Sequence, residues 1–366
     1  MILTIVIFIL ILGLLILVHE LGHFITAKRL GVKVEEFGFG FPPRIFGIKK
    51  GETIYSLNLL PLGGFVKIYG ENGSADSSKL NPNEESRAFY NKPIGKRVKI
   101  IVAGVVMNLI LAMILLGVGH WMGMPAAVDD DVADNLRDAK IQITQIAVNS
   151  PAAQAGISIG DTIKKLSNDV TVLPEKVSDV QNFINSHLGE QITVTIQRGD
   201  TILTKELMPR RDYPEDEGAM GIGLARTAIV SYPWYKAIIM GITSTINLIW
   251  VILIVLGGLF WSLVSTGKLA VEVSGPVGIF NLTGQAAQLG FIYVLQLTAL
   301  LSINLAIINI FPFPALDGGR LLFLGIEKIK GSPISQKIEG TIHTTGFIFL
   351  ILLLIAITWR DIVKFF

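Results

Sequence analysis

A five-residue motif near the start of the chain, His19-Glu20-Leu21-Gly22-His23, brings together three side chains that could do chemistry. On a helix, residues four apart share a face, so the two imidazoles can bind one metal ion. Glu20 lies beside that face, where a carboxylate can serve as a general base and take a proton from water. The pattern is typical of a metal-dependent hydrolase with two histidine ligands and a glutamate base.

The motif follows an apolar segment, since Met1–Val18 carries no charged residue. Ionisable groups at membrane depth are costly and usually have a function. This argues against the alternative, a chance pentamer at a helix end whose polar groups meet water. The segment lacks a basic start and a small-residue cleavage site, so we interpret it as a retained membrane span and not as a signal peptide.

Composition places the chain among integral membrane proteins. Its 366 residues are 51% hydrophobic and only 16% charged, which predicts a polytopic α-helical membrane protein with the lipid bilayer as a partner. The absence of cysteine excludes disulfides, thiolate metal sites and cysteine nucleophiles. A net charge of +2 is too balanced to suggest a nucleic-acid partner.

Hydropathy and charge divide the chain into membrane, loop and α/β segments. We predict four transmembrane helices, at residues 1–27, 98–123, 290–319 and 343–360. The remaining segments are a cytoplasmic loop with a membrane-reentrant β element at 28–97, an α/β domain at 126–212, a membrane-associated segment that does not cross at 213–289, and a cytoplasmic loop at 320–342.

The distribution of basic residues sets the predicted orientation. Segment 28–97 is rich in lysine and arginine, as is the loop that follows residue 319, so both are expected in the cytoplasm. If all five apolar runs crossed, Asp317 would emerge on the side opposite to His19 and His23. We therefore expect the run at 237–265 to lie along the membrane or dip into it without crossing.

The loop at 28–97 contains three short strand patterns, at Arg44–Lys49, Thr53–Leu60 and Gly64–Tyr69. They are too apolar for a free hairpin in water, so we predict a β element that dips against the membrane beside the motif. The polar run Asn72–Glu85 is predicted to be a solvated loop.

Residues 126–212 carry strand and helix patterns in the order of a bacterial PDZ domain, which they resemble. The carriers are a strand kinked at Thr144-Gln145, Ser-Pro-Ala-Ala at 150–153, Gly160-Asp161, a helical stripe around Val180, and a strand at Ile192–Ile196. Such a domain pairs with an extended peptide or a free C-terminus; the alternative, a domain that only blocks access sterically, stays open. The acidic residues around Asp129 favour an extracytoplasmic location.

A zinc ion held by two histidines needs a third protein ligand, for which Asp317 is the candidate. Pro312 and Pro314 break the helix before it and can turn a side chain inward. The alternative is that Asp317 caps the helix at 320–328; together with the histidine motif, we favour the ligand. Asn108, in the second span, either packs against a neighbouring helix or has a direct role.

A transmembrane substrate must be unwound locally, and lipid offers its backbone no replacement partners. Asn309 and the β element around Gly63 and Gly64 are the predicted suppliers of hydrogen bonds to that strand.

The chain resembles the site-2 protease family of intramembrane zinc metalloproteases, most nearly the bacterial regulator of sigma-E protease type. The residues that carry the likeness span most of the chain: 19–23, Gly-Phe-Gly at 38–40, Pro-Leu-Gly-Gly-Phe at 61–65, Ala103-Gly104 with Asn108, Ser-Gly-Pro at 274–276, and 309–319. The resemblance implies Zn²⁺ held by His19, His23 and Asp317, with Glu20 as general base and Asn309 as a substrate-binding residue. It also implies single-span membrane substrates, such as trimmed anti-sigma factors or remnant signal peptides, cleaved in the bacterial plasma membrane.

The sequence departs from the family pattern at two places. It has one PDZ-like domain where some relatives have two, and Val105 where members often carry proline. Two rival functions remain. One is a non-catalytic PDZ scaffold that binds C-terminal tails and needs no metal motif. The other is a metal transporter, which would be expected to have more ionisable residues along its spans.

Overall fold

The computed structural model describes residues 2–71, 85–130, 137–199, 201–214, 217–267 and 275–365. The chain divides into two compact units, Met1–Gly119 with Ile238–Phe366, and His120–Ala237. In chain order the elements are α1 Ile2–Arg29, β1 Val34–Lys50, β2 Thr53–Ile68, α2 Ile94–Met122, β3 Met124–Ala127, β4 Arg137–Ile146, α3 Pro151–Gln154, β5 Thr162–Ser167, β6 Thr171–Val172, α4 Val177–Ser186, β7 Ile192–Arg198, β8 Thr201–Leu207, β9 Ile222–Val230, α5 Trp234–Thr266, α6 Pro276–Leu289, α7 Phe291–Ile310, α8 Asp317–Lys330 and α9 Gln336–Phe365.

Five helices of the described chain are long and apolar enough to cross a bilayer. They are α1, α2, α5, α7 and, within α9, Lys337–Val363. The predicted span at 290–319 is a single helix only as far as Ile310, because Pro312 and Pro314 cannot continue it. The chain restarts as α8 at Asp317.

Helices α1 and α2 run antiparallel and cross closely. A Cβ on Gly22 would lie 2.3 Å from the carbonyl oxygen of Ala103, so only glycine allows the two backbones to approach this far. The contact places the second half of α1, with the histidine motif, against the first half of α2. Two apolar helices held this closely position side chains more firmly than a loop does.

Helix α7 runs parallel to α1. Near the start of α1, Gly284 of α6 lies against Thr4, and the rings of Phe8 and Phe280 are 5.6 Å apart. Only Gly290, with φ +115°, separates α6 from α7, so α7 begins at that end and runs toward the histidine motif. Helix α9 runs the other way, ending where the buried Asp361 carboxylate accepts hydrogen bonds from backbone N–H groups at the start of α6.

Strands β1 and β2 fold into four adjacent antiparallel segments. Residues 36–39 pair with 54–57 on one side and with 64–67 on the other, while Arg44–Lys50 pairs with 53–58. The three predicted strand segments lie within β1 and β2 except for Tyr69, which follows the end of β2. The pattern did not predict the strand at 34–41. The segments of β1 and β2 on the far side of 36–39 from 64–67 expose apolar side chains, including Ile45, Phe46, Leu57, Leu59 and Leu60. Nearly all of the predicted loop Asn72–Glu85 lies outside the described residues.

The second unit is built on a seven-stranded sheet in the order β3-β9-β4-β5-β7-β8, with β6 paired to β5. Its core is formed mainly by alternating residues of β4, β5 and β7 packed on α4, among them Ile141, Leu166, Val180 and Ile196. The pairing of β4 with β9 shifts register between Ile143 and Gln145, where the sequence predicts a kink. The unit continues past the predicted boundary at 212, because β9 lies between β3 and β4.

Candidate active site

Three predicted ligands converge on one point in the first unit. Asp317 Oδ2 lies 3.1 Å from His19 Nε2 and 3.3 Å from His23 Nε2, and the two Nε2 atoms are 3.1 Å apart. Both histidines are buried. A tetrahedral zinc ion with bonds of about 2.0–2.2 Å holds its ligand atoms about 3.3 Å apart, so the three atoms fit such an ion.

The ring nitrogens that face away from this point have partners on α2. His23 Nδ1 donates to the carbonyl oxygen of Ile100 at 2.8 Å. His19 Nδ1 lies 3.5 Å from the side-chain amide of Asn108, which is fully buried. The Asn108 side-chain oxygen otherwise has no hydrogen-bond partner among the described residues. When the amide is oriented with this oxygen toward the ring, His19 Nδ1 donates a hydrogen bond to it.

These partners fix the tautomer of each histidine. A proton on Nδ1 leaves a lone pair on Nε2, and the Asp317 carboxylate is likewise an acceptor. Three hydrogen-bond acceptors, the two Nε2 atoms and the Asp317 carboxylate oxygen, therefore face one another at about 3 Å in the interior of the unit. A cation at the point of convergence is what makes such an arrangement favourable.

Asp317 reaches the site from the turn between α7 and α8. It is the first residue of α8, and the N-cap position belongs to Leu316, so the carboxylate does not cap the helix. The start of α8 packs against the backbone of the preceding turn, which leaves no space for a side chain after Asp317. A Cβ on Gly318 would lie 2.1 Å from the carbonyl oxygen of Phe311. The broken helix thus turns the carboxylate toward α1.

Glycine at position 104 makes room for the two imidazoles. A Cβ on Gly104 would lie 2.5 Å from His23 Nε2 and 2.7 Å from His19 Cε1. The ligands are therefore pressed directly against the backbone of α2. No side chain larger than a hydrogen atom fits there without displacing a ring.

Glu20 contacts the edge of the β element. The backbone N–H of Val66, on β2, donates to Glu20 Oε2 at 3.1 Å. Gly64 lies near the same side chain, since a Cβ there would be 3.8 Å from Glu20 Cγ, and Gly63 has φ +145°. The edge of β2 that carries Gly64 and Val66 therefore lies beside the carboxylate.

Asn309 lies on the last turn of α7, with its side-chain amide 3.3 Å from His19 Nε2. It thus faces the point where the ligand atoms converge. Asn304, one turn and a half earlier, bonds instead to the Leu300 carbonyl within its own helix. The two asparagines that precede the helix break have different surroundings.

Sequence reasoning did not find three groups of this site. The Ile100 carbonyl and the Val66 N–H are backbone groups, which leave no trace in residue type. The need for glycine at position 104 arises from the α1–α2 crossing, which no local pattern reveals. The buried Asn108 gave a signal, since an amide within an apolar span requires a partner.

Comparison with known proteins shows the family of the chain. Residues 7–353 match the family model described as peptidase family M50. The chain is 32% identical to the zinc metalloprotease RasP of Bacillus licheniformis and 31% identical to the regulator of sigma-W protease RasP of Bacillus subtilis, with 99% of each chain covered in both cases.

A putative zinc metalloprotease of Clostridium acetobutylicum is 36% identical, with 98% of this chain and 97% of the relative covered. Every one of these matches spans both units and all five apolar helices. The chain is thus a multi-pass membrane metalloprotease that belongs to peptidase family M50, the site-2 protease family.

Proposed function

We propose that the chain is a zinc-dependent intramembrane endopeptidase of the bacterial plasma membrane that cleaves transmembrane segments of single-span proteins. The observation that carries the proposal is the convergence of His19 Nε2, His23 Nε2 and Asp317 Oδ2 beside Glu20, between apolar helices. These three residues would hold the zinc ion. The names of the relatives, zinc metalloproteases, support the choice of metal.

The bound zinc would supply a Lewis acid that polarises a carbonyl and lowers the pKa of water. Glu20 is the base that removes the proton from the attacking water and later gives it to the leaving amine. The Val66 N–H holds the Glu20 carboxylate at its position. Asn309, facing the same point, is placed to donate its amide N–H to the oxygen of the scissile carbonyl.

The edge of β2 next to Glu20 is the proposed binding surface for the unwound substrate. Residues 64–67 pair with 36–39 on one side only, so their other edge faces α1. An extended segment added there gains backbone hydrogen bonds that lipid does not offer. Gly64 is part of this surface: a Cβ there would lie 3.0 Å from the Gly38 carbonyl oxygen and 3.8 Å from Glu20 Cγ, so a side chain would crowd the space beside the carboxylate.

Helix directions support four crossings. Helix α2 ends, and α7 begins, on the side of the α1 N-terminus, so an even number of crossings separates them. Helix α6 has 14 residues, about 21 Å, which is short of the ~30 Å of a bilayer core. We therefore assign the crossings to α1, α2, α7 and α9, and place α5 along the membrane or partly within it.

The second unit would be an extracytoplasmic PDZ-like domain. Strand β9 pairs with β4 over its length, but with β3 only from Thr227 to Val230. Val128 N–H continues that pairing to the Arg226 carbonyl. Among the described residues, the edge at 222–225 carries no strand partner, which leaves room for a short extended peptide.

Anti-sigma factors are the proposed physiological substrates, together with remnant signal peptides. One relative is named a regulator of sigma-W protease, which links this kind of enzyme to control of a sigma factor. An anti-sigma factor with a single span presents a helix of the length the membrane site requires.

The test is cleavage of a single-span model substrate in liposomes by the purified protein and by Glu20→Gln, with zinc content measured for both. The variant retains the shape of the side chain and both imidazoles but has no base. We expect cleavage by the parent, none by the variant, and one zinc per chain in each. Glu175→Gln, at an exposed glutamate of the second unit, is the matched control and should cleave normally.

Equal cleavage by Glu20→Gln would overturn the role of Glu20. If the parent binds a C-terminal peptide tightly, holds no zinc and cleaves nothing, the scaffold function replaces the protease. Metal uptake into sealed vesicles would instead indicate a transporter.

A further inference from the structure

The turn that presents Asp317 contains a residue in a strained backbone conformation. Ala315 has φ +76°, and it is one of three described non-glycine residues with positive φ. The other two are Asp138 and Asn149, whose short polar side chains favour this conformation. Alanine has no such side chain, so the surrounding structure must hold Ala315 in place.

A histidine of α9 contacts that residue directly. The Ala315 N–H donates to Nδ1 of His343 at 2.9 Å. Since Nδ1 accepts, the imidazole is neutral and its proton is on Nε2. The hydrogen bond is made while Ala315 holds its positive φ, so it favours this conformation of the turn.

The rest of the turn rests on the same face of α9. A Cβ on Gly346 would lie 2.5 Å from Pro314 Cβ and 2.8 Å from its carbonyl oxygen. The rings of Phe313 and Phe349 are 5.8 Å apart. Residues 343, 346 and 349 are three apart on one helix, so they form a continuous contact along one face for the turn.

We propose that His343 is a positioning residue for the metal site: it holds the strained Ala315 turn, and through it sets the place of the Asp317 carboxylate. His343 contributes no atom to the site itself. The inference rests on the proposed function, because it takes Asp317 as a metal ligand. It assigns a role in the site to α9, which supplies none of the three converging ligand atoms.

The first test measures zinc affinity of the metal-free full-length protein in detergent, by competition with a chromophoric chelator. Partners of this kind change metal affinity by about 10- to 100-fold when removed. We expect His343→Ala to weaken zinc binding about 10-fold or more. His343→Asn, whose Oδ1 takes the position of Nδ1, should stay within about threefold of the parent, whereas His343→Gln, whose oxygen lies one bond farther out, should resemble the alanine variant.

Two further variants test the strain at Ala315 and the packing of Pro314. Glycine adopts positive φ at no steric cost, so adding Ala315→Gly to His343→Ala should restore part of the lost affinity. Gly346→Ala should weaken zinc binding by displacing Pro314. Gly340→Ala is the matched control on the same helix, because a Cβ there meets nothing within 4 Å.

If His343 had only a structural role, replacing it would lower the thermal stability of the metal-free protein. The alanine, asparagine and glutamine variants would then all be affected alike. Equal zinc affinity of His343→Ala and the parent would overturn the inference while leaving the protease intact. So would an asparagine variant as weak as the alanine variant. A parent that binds no zinc at all would overturn the proposed function first.

Discussion

Gly104 lies against His23 so closely that its missing Cβ would be 2.5 Å from the ring nitrogen that faces the metal site. The two histidines proposed as metal ligands are therefore packed directly on the backbone of α2. Whatever shifts α2 near this residue also shifts the ligands. Stability of the helix pair and metal affinity are thus coupled at one position.

Gly104→Ala should therefore abolish zinc binding and cleavage together. Inserting a methyl group into a packed contact costs about 1–3 kcal/mol of stability. Here the contact can be relaxed only if an imidazole moves away from the metal site. The control is Gly95→Ala on the same helix, where a Cβ meets nothing within 4 Å. Zinc stoichiometry of both purified variants is the measurement, and a full equivalent of zinc in Gly104→Ala would contradict the expected clash.

Val66→Pro should lower the cleavage rate about 10- to 100-fold and leave zinc affinity unchanged. Proline removes the N–H that donates to Glu20, and a hydrogen bond to a charged group contributes about 1.5–3 kcal/mol. Proline is tolerated on a strand edge where the N–H faces away from the partner strand. Val66→Thr keeps the N–H and should cleave normally; equal rates for the two variants would show that this donor is not needed.

Asn108→Leu should weaken zinc binding by about 10- to 100-fold, because His19 Nδ1 loses its acceptor. Asn108→Asp keeps an oxygen at that place and should retain the metal. Ser302→Ala is the control, since its hydroxyl donates to the backbone carbonyl of Asn108 and not to the amide. Chelator competition separates these outcomes, and similar affinities for the leucine and aspartate variants would exclude a role in orienting His19.

The second unit should lose stability in acid through Asp161. Burial alone would raise the pKa of this carboxyl, but two hydrogen bonds from Arg198 and one from the Ser158 N–H outweigh it and hold the pKa below its usual value. The stabilisation is complete above the usual carboxyl pKa and is lost as pH falls through the lowered one. Asp161→Asn should cost about 2 kcal/mol at pH 7 and progressively less in acid.

Hydrogen exchange of β5 and β7 in the full-length protein measures this difference at each pH. Asp138→Asn is the control, because Asp138 is exposed and its carboxylate forms a surface ion pair with Lys140 at 3.0 Å. Its change should stay within about 0.5 kcal/mol. A protection difference for Asp161→Asn that stays constant down to strong acid would contradict the assigned linkage.

The assignment of crossings can be tested with single cysteines, since the chain has none of its own. Lys328→Cys, in α8, should react with an impermeant maleimide only after the cells are permeabilised. Thr266→Cys, at the end of α5, should be labelled by the same maleimide in intact cells, because α5 does not cross to the cytoplasmic side. The assigned topology would be wrong if Lys328→Cys were labelled in intact cells, or if Thr266→Cys were labelled only from the cytoplasm.

Much of the secondary structure follows from local patterns. Apolar runs predict α1, α2 and α7, and the alternation at Ile192–Ile196 predicts β7. The strand at 34–41 escaped prediction because it contains glycines and acidic residues that pair only with distant segments. The end of the second unit escaped for a similar reason, since β9 follows a loop and looks apolar enough for the membrane.

The residue types of the proposed metal ligands could be predicted from the sequence, but the groups that hold those side chains in place could not. The spacing of His19 and His23 predicts a shared helix face, and two prolines before Asp317 predict a break. His343 gave no signal, because a single histidine at the start of an apolar helix has no partner in local sequence. Its contact with Ala315 joins residues that only the packing of α8 against α9 brings together.

The proposed metal ligands come from α1 and from α8, which lie before and after the whole second unit in the chain. Ribosomal synthesis therefore delivers the histidines to the membrane long before the aspartate. Until α8 is inserted, the nascent protein carries a base and two imidazoles but no assembled catalytic centre. The order of synthesis thus leaves the proposed catalytic centre incomplete until most of the chain has been made.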